Sequence, residues 1–216
     1  IGLGLWQLNR AEEKRNILEL IEERRGESAL SMEQLTKRER PAFSQVVLRG
    51  RYVTEKSVLL DNKVYRGRFG YEVITPLRSE HGGLWLVSRG WTAGSLDRSE
   101  LPSIEPVTGV VDLQGEVYVP LGEVFTLGDT AFPEGWPKRL QTLDVDALSE
   151  ALDEPIYPYV IRLSESGPGA LEQHWQDVNI LPQKHTGYAV QWFAMAATLI
   201  ILYLAVAFGL LRSKTV

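Results

Sequence analysis

The sequence predicts a membrane-anchored α+β protein: a mostly antiparallel β domain between the truncated end of an N-terminal transmembrane helix and a complete C-terminal one. Three observations carry that prediction. From Gly187 to Leu211 there are 25 residues without a charge, and at ~1.5 Å per residue such a helix exceeds the ~30 Å hydrocarbon core of a bilayer. Ile1 to Leu8 is likewise uncharged but far below the ~20 residues a span requires, so it reads as the last turns of a first span. Between the two, short runs of β-branched and aromatic residues alternate with Gly, Pro and Asn, which is the texture of strands and turns.

In chain order, residues 1–8 are the end of the first span, with Trp6 as its aromatic border and Arg10 placed to snorkel into the headgroups. Residues 9–41 form an amphipathic helix and a linker. Ile17, Leu18 and Ile21 keep an apolar stripe at helical spacing, Gly26 ends the helix, and Ser28 to Pro41 reads as a loop with one helical turn. The run Glu22-Glu23-Arg24-Arg25 is a solvated face.

Residues 42–184 are the β-rich domain. Phe43 to Val53 is a strand, and Val58 to Leu60 runs into a turn at Asp61-Asn62. Gly67 and Gly70 bracket a loop. Tyr71 to Arg78 and Leu84 to Trp91, joined by His81-Gly82-Gly83, make the clearest hairpin, because its tight connection needs the positive φ that glycine adopts without strain. His81 is a polar loop residue on this reading. Val107 to Val119 is another strand, and Pro120 to Pro137 a long exposed loop. Asp144 or Asp146 caps a short helix through Leu152, and Pro158 restricts Tyr157 to Leu163 to an edge strand or a strand start. Residues 185–211 are the second span and 212–216 its tail.

Orientation follows from the ends. Arg212 and Lys214 lie just beyond the last helix and only Lys184 lies shortly before it, so the tail is expected inside and the β domain outside.

Composition removes several functions. The net charge of −5 is mild and the cations are interspersed with carboxylates, so nucleic acid is not an expected partner. Cysteine is absent, which excludes disulfides, thiolate nucleophiles and most structural zinc sites. It also removes the soft ligands of a copper carrier, since Met32 and Met195, the only thioethers, are far apart in sequence. There is no nucleophile elbow, zinc-protease motif, glycine-rich phosphate loop or dinucleotide fingerprint, and His81, His174 and His185 are widely separated. The expected protein is not an enzyme.

Two motifs remain open. Arg89-Gly90-Trp91 is either a contact surface for a partner, since Arg and Trp dominate interface energies, or a strand end whose Trp covers the core. His185 stands at the outer end of the second span, and helical offsets of three and seven put Tyr188 and Trp192 on its face. It is either an interfacial residue in an aromatic belt or an axial ligand to a cofactor between helices.

Gly2-Leu3-Gly4-Leu5-Trp6-Gln7-Leu8-Asn9-Arg10, Leu60-Asp61-Asn62-Lys63, Gly67 to Leu77, Leu86-Val87-Ser88-Arg89-Gly90-Trp91, and His185 with Tyr188 and Trp192-Phe193 together resemble the surfeit locus protein 1 family in order and spacing. The resemblance implies a bacterial member: a two-span protein of the inner membrane with its main domain periplasmic, assisting assembly of haem–copper cytochrome c oxidase. It implies as partners the oxidase catalytic subunit, the lipid bilayer and an enzyme of haem a synthesis, and as cofactor haem a, bound transiently. A histidine at the outer end of the second span is implicated in haem binding in that family, which puts His185 in the role of iron ligand. Tyr188 and Trp192 are then expected to wall the pocket, and Arg10 or Lys184 to meet the propionates. Two alternatives stand beside this: a scaffold that binds the oxidase subunit without cofactor, and a membrane-anchored hydrolase.

Overall fold

The computed structural model describes residues 1–80, 82–95, 100–119, 133–175, 178 and 180–213, with side chains through Phe208. It contains two units, one of residues 24–175 and one of residues 1–23 with 176–216. The expectations for His81, for most of the Pro120–Pro137 loop and for Lys214 lie outside the described residues, as does the Arg212 side chain.

The larger unit is built on seven strands: β1 (Gln45–Tyr52), β2 (Val58–Tyr65), β3 (Arg68–Ser79), β4 (Leu84–Ala93), β5 (Val111–Tyr118), β6 (Lys138–Leu140) and β7 (Ile156–Leu163). Their order is β1-β5-β7-β4-β3-β2-β6, and β1 also pairs with β3. β1 bonds to β5 through residues 45–50 and to β3 through residues 50–52, so β1, β5, β7, β4 and β3 close into a barrel-like ring. β2 and β6 extend the sheet beyond it. Gly50 sits where β1 changes partners; a Cβ there would lie 2.3 Å from the Arg78 carbonyl oxygen, and only glycine lets the two backbones approach that closely. The pairings are antiparallel except β4 with β7 and β2 with β6, which are parallel.

Period-2 alternation fills the ring. Val46, Leu48 and Tyr52 of β1 point inward with Leu77, Trp85, Val87, Leu113, Val117, Ile161 and Leu163. Trp85 stacks on Tyr157 with ring centres 4.0 Å apart, and its indole nitrogen lies 3.1 Å from the Met32 sulfur. Burying each such side chain contributes roughly 1.5–3 kcal/mol, which makes this cluster the main stabilising mass of the unit. The opposite faces of β4, β3 and β2 are covered as well: Val58, Leu60, Ile74 and Leu86 pack with Leu148 of helix α3 (Val145–Leu152), named here third in chain order after α1 (Gly2–Gly26) and α2 (Met32–Lys37). Hence β4 is apolar on both faces and lacks the alternation of a half-exposed strand.

Two local expectations, the helical turn within Ser28–Pro41 and the capped helix through Leu152, are borne out, and others are corrected. Residues 32–37 are helical because Ser31 and Gln34 form a reciprocal capping box, each side chain bonding the other's main-chain N–H. Asp61-Asn62 is a bulge inside β2 and not a turn: Asn62 has φ +60° and the register with β3 shifts between Leu60 and Lys63. The turn is Arg66-Gly67, both at positive φ, and Gly70 belongs to β3. β7 is not an edge strand; it lies between β5 and β4, and Pro158 precedes the β5 pairing and falls opposite an irregularity in β4, where no ladder N–H is needed. Asp144 is the residue that caps α3, accepting from the Ala147 N–H at 3.0 Å.

The smaller unit contains the first part of α1 and helix α4 (Pro182–Ser213). α4 starts three residues before His185, with Pro182 at its first position, where a missing N–H costs nothing. Large apolar side chains from Val190 to Phe208 are exposed along it, and over Pro182–Phe208 it is long and apolar enough to cross a membrane.

Candidate functional site

On α1 the residues Gly4, Ala11 and Lys14 are buried, and on α4 His185 and Ala189 are. Their spacings of three, four and seven residues place each set on one stripe of its helix. Gly4 admits the Phe193 ring, since a Cβ there would lie 2.7 Å from it. Close approach through a small residue is how helices pack where the hydrophobic effect gives no drive between them.

His185 is 6% exposed, and its Nδ1 lies 2.6 Å from the Gln7 side-chain oxygen. An amide oxygen only accepts, so Nδ1 carries the proton and donates it. With Nδ1 engaged by Gln7, Nε2 is the ring nitrogen that remains for a ligand. A histidine whose far nitrogen is held by an acceptor is the arrangement that orients an imidazole for a metal.

The other residues expected at this site are arranged differently. Tyr188 is 48% and Trp192 38% exposed, so neither ring is packed into the stripe that holds His185. The offset of three turns Tyr188 aside, and Trp192, two turns on, leans outward where Ala189 and Phe193 occupy the stripe. Arg10 is bound to Glu13 at 2.5 Å, one helical turn on, and Lys184 is exposed. Trp6 is half-exposed. Gln7 was not singled out by its sequence. The signal available was a polar side chain four residues before Ala11 and three after Gly4, on the one stripe of small residues in α1.

In the larger unit, Arg89-Gly90-Trp91 is a bulge. Val73 pairs with Gly90 and Ile74 with Ser88, which leaves Arg89 as the extra residue. Gly90 takes φ +120° and a Cβ on it would lie 2.8 Å from the Glu172 carbonyl oxygen. Across this bulge the Leu171 N–H donates to the Arg89 carbonyl at 2.7 Å and the Trp91 N–H to Glu172 at 2.6 Å. Arg89 and Trp91 are 2% and 4% exposed, so both side chains face inward, the arrangement expected of a strand end whose Trp covers the core. Trp91 donates from Nε1 to the Lys63 carbonyl at 2.8 Å and meets the Tyr65 ring edge-on. Arg89 donates from Nε to the Gly169 carbonyl at 2.7 Å and from Nη2 to the Glu105 carbonyl at 3.2 Å. Burial holds its guanidinium below the usual arginine range and pushes the neighbouring Tyr52 phenol up to about 12.

No group of three or more His, Asp or Glu side chains able to hold a metal ion occurs among the described residues. Residues 1–197 match the SURF1 family. A SURF1-like protein of Dictyostelium discoideum is 26% identical over 245 residues, covering 94% of this chain and 90% of that protein. SURF1-like proteins of Monosiga brevicollis and Rickettsia bellii are 24% and 22% identical, covering 91% and 93% of this chain and 78% and 83% of theirs.

Proposed function

The chain belongs to the SURF1 family, and on that premise we propose that it is a membrane-anchored, non-enzymatic assembly factor for haem–copper cytochrome c oxidase that assists insertion or stabilisation of haem a in the catalytic subunit. On this reading α4 spans the bacterial inner membrane and the strand-rich unit is periplasmic, with the oxidase subunit and a haem a synthesis enzyme as partners. The exposed apolar length of α4 supports the anchoring.

One observation carries the cofactor part: the His185 imidazole is tied at Nδ1 by Gln7, which keeps Nε2 for iron. Haem a is cargo here, and its iron supplies a position for one imidazole. Gln7 fixes the tautomer and the ring plane, and Gly4 with Phe193 fixes the packing behind it. Tyr188 and Trp192 offer apolar faces from the exposed side of α4 to the macrocycle. Arg10 meets a propionate only by exchanging its Glu13 partner.

The scaffold reading, in which the oxidase subunit is bound without cofactor, is favoured by two features: the exposed rings of Tyr188 and Trp192 enclose no pocket around His185, and Arg10 is already paired. Full-length protein co-expressed with haem a synthesis separates the readings. A Soret band in the purified protein, lost in His185→Ala at unchanged membrane level and shifted in Gln7→Leu, is expected for the haem-handling protein. Absence of the band leaves the scaffold, and an identical band in His185→Ala overturns the assignment of His185 as the ligand.

A further inference from the structure

Lys14 is a buried cation of the helical unit that neither packing nor the proposed function uses. It is 8% exposed and lies on the seam of α1 that carries Gly4, Gln7 and Ala11, at helical spacings of three and four. Among the described residues no hydrogen bond or ion pair reaches its ammonium. That has a local cause. The residues one turn away on α1 are Arg10, Ala11, Ile17 and Leu18, so no carboxylate is placed to meet Lys14 along the helix. The acids of the preceding turn are engaged elsewhere: Glu12 pairs with Arg15 and Glu13 with Arg10. A cation on a buried side chain is held at a cost unless an anion meets it.

The facing helix raises that cost. Gly4 lies against Phe193 and Gln7 against His185, so α1 and α4 run antiparallel. Extended two turns from Gln7 to Lys14, ~10 Å along the axis, the same register brings Lys14 past His185 to the start of α4, where Val178 and Pro182 are buried. A helix begins with main-chain N–H groups that none of its own carbonyls answers and with the positive end of its dipole. The first turn of α4 contains no acidic residue to offset them. An unpaired ammonium and a helix N-terminus both favour an anion.

We infer that Lys14, at the first turn of α4, seats a propionate carboxylate of the haem whose iron His185 holds, an inference that rests on the haem-handling reading of this site. His185 and Lys14 then hold two ends of one ligand: Nε2 for the iron and, farther along the α1 seam, an ammonium for a carboxylate at the edge of the macrocycle. On the proposed topology α1 runs outward, so Lys14 lies on the headgroup side of His185, the side to which an anionic edge turns. Arg10 is held by Glu13 and Lys184 is exposed, so burial without a partner singles out Lys14 among the cations near the site.

The test compares ferric haem b with its dimethyl ester, which keeps the iron and macrocycle but has no carboxylate, by Soret titration of the full-length protein in nanodiscs. Wild type should bind the acid about tenfold or more tightly than the ester, the worth of one charge-assisted contact. Lys14→Met should bind both at the ester's affinity with an unchanged Soret position, and Lys14→Arg should retain the preference, as should Arg10→Met and Lys184→Met. Without haem, Lys14→Met should melt no lower than wild type, because it removes an unpaired buried charge. Equal affinity of wild type for acid and ester, a preference kept in Lys14→Met or carried by Arg10 or Lys184 instead, or a haem-free Lys14→Met that melts lower or does not fold would overturn the role of Lys14 and leave His185 as the ligand. No saturable, His185-dependent Soret band with either porphyrin would overturn the haem-handling reading and this assignment with it.

Discussion

The ring of strands and the helix pair bury polar side chains under opposite rules. In the strand unit several of these groups are answered locally: Ser57 bonds Thr75 at 2.9 Å, Ser88 bonds Glu72 at 2.7 Å, and Trp91 bonds a main-chain carbonyl. Others, among them the hydroxyls of Ser44, Tyr52 and Tyr71 and Nη1 of Arg89, are buried without a partner. In the helix pair one polar contact, Gln7 with His185, lies on stripes otherwise made of small and apolar residues, apart from Lys14. The outer surfaces differ in the same sense, since the strand unit carries ion pairs such as Arg49 with Glu80 and Asp112 while α4 exposes isoleucine, leucine, valine and phenylalanine. The difference teaches that the strand unit presents charge to water while the helix pair presents apolar side chains and keeps its one buried polar contact on an otherwise small and apolar stripe.

The strongest way to break this comparison is at Gly90. Valine there meets both a positive φ of 120° and the Glu172 carbonyl, so Gly90→Val should destabilise the strand unit by about 3 kcal/mol or more. Denaturant melting of tryptophan fluorescence measures it, and a midpoint equal to wild type would show that the bulge is a tolerant spacer. A smaller effect is expected from Gly4→Leu, which drives a side chain into Phe193 and should loosen the helix pair by ~1–3 kcal/mol. Cross-linking yield between cysteines placed at Leu8 and Thr186 should fall while the strand unit's melting midpoint stays unchanged; a parallel loss in both would mean that the two units do not obey separate rules. The smallest effect belongs to Ser31→Ala, which removes the cap of α2 and should cost ~1 kcal/mol. Faster amide exchange confined to residues 32–37 is the expected signature, and no change there would assign the stability of α2 to Leu35 alone.

The sequence by itself determined the features that depend on composition and short-range periodicity. The long apolar helix is legible because 25 uncharged residues admit few other structures. The central hairpin is legible because Gly82 and Gly83 supply the positive φ its connection needs, and the α3 cap because Asp144 is a local donor-acceptor match. The position of His185 at the start of the apolar run was also visible. Only the tertiary structure decided the rest. The central place of β7 and the parallel partners of β4 and β2 arise from contacts between residues far apart in sequence, which no window reports. Asn62 looks like a turn residue and serves as a bulge because β3 continues past it. Arg89 has an interface composition, yet the extra residue of a bulge turns it inward, and its meeting with Tyr52 joins strands separated in the chain. Gln7 is one polar residue in an apolar turn until α4 brings His185 to 2.6 Å from it. Local chemistry sets what each residue can offer; closure of the ring and pairing of the helices set what each one faces.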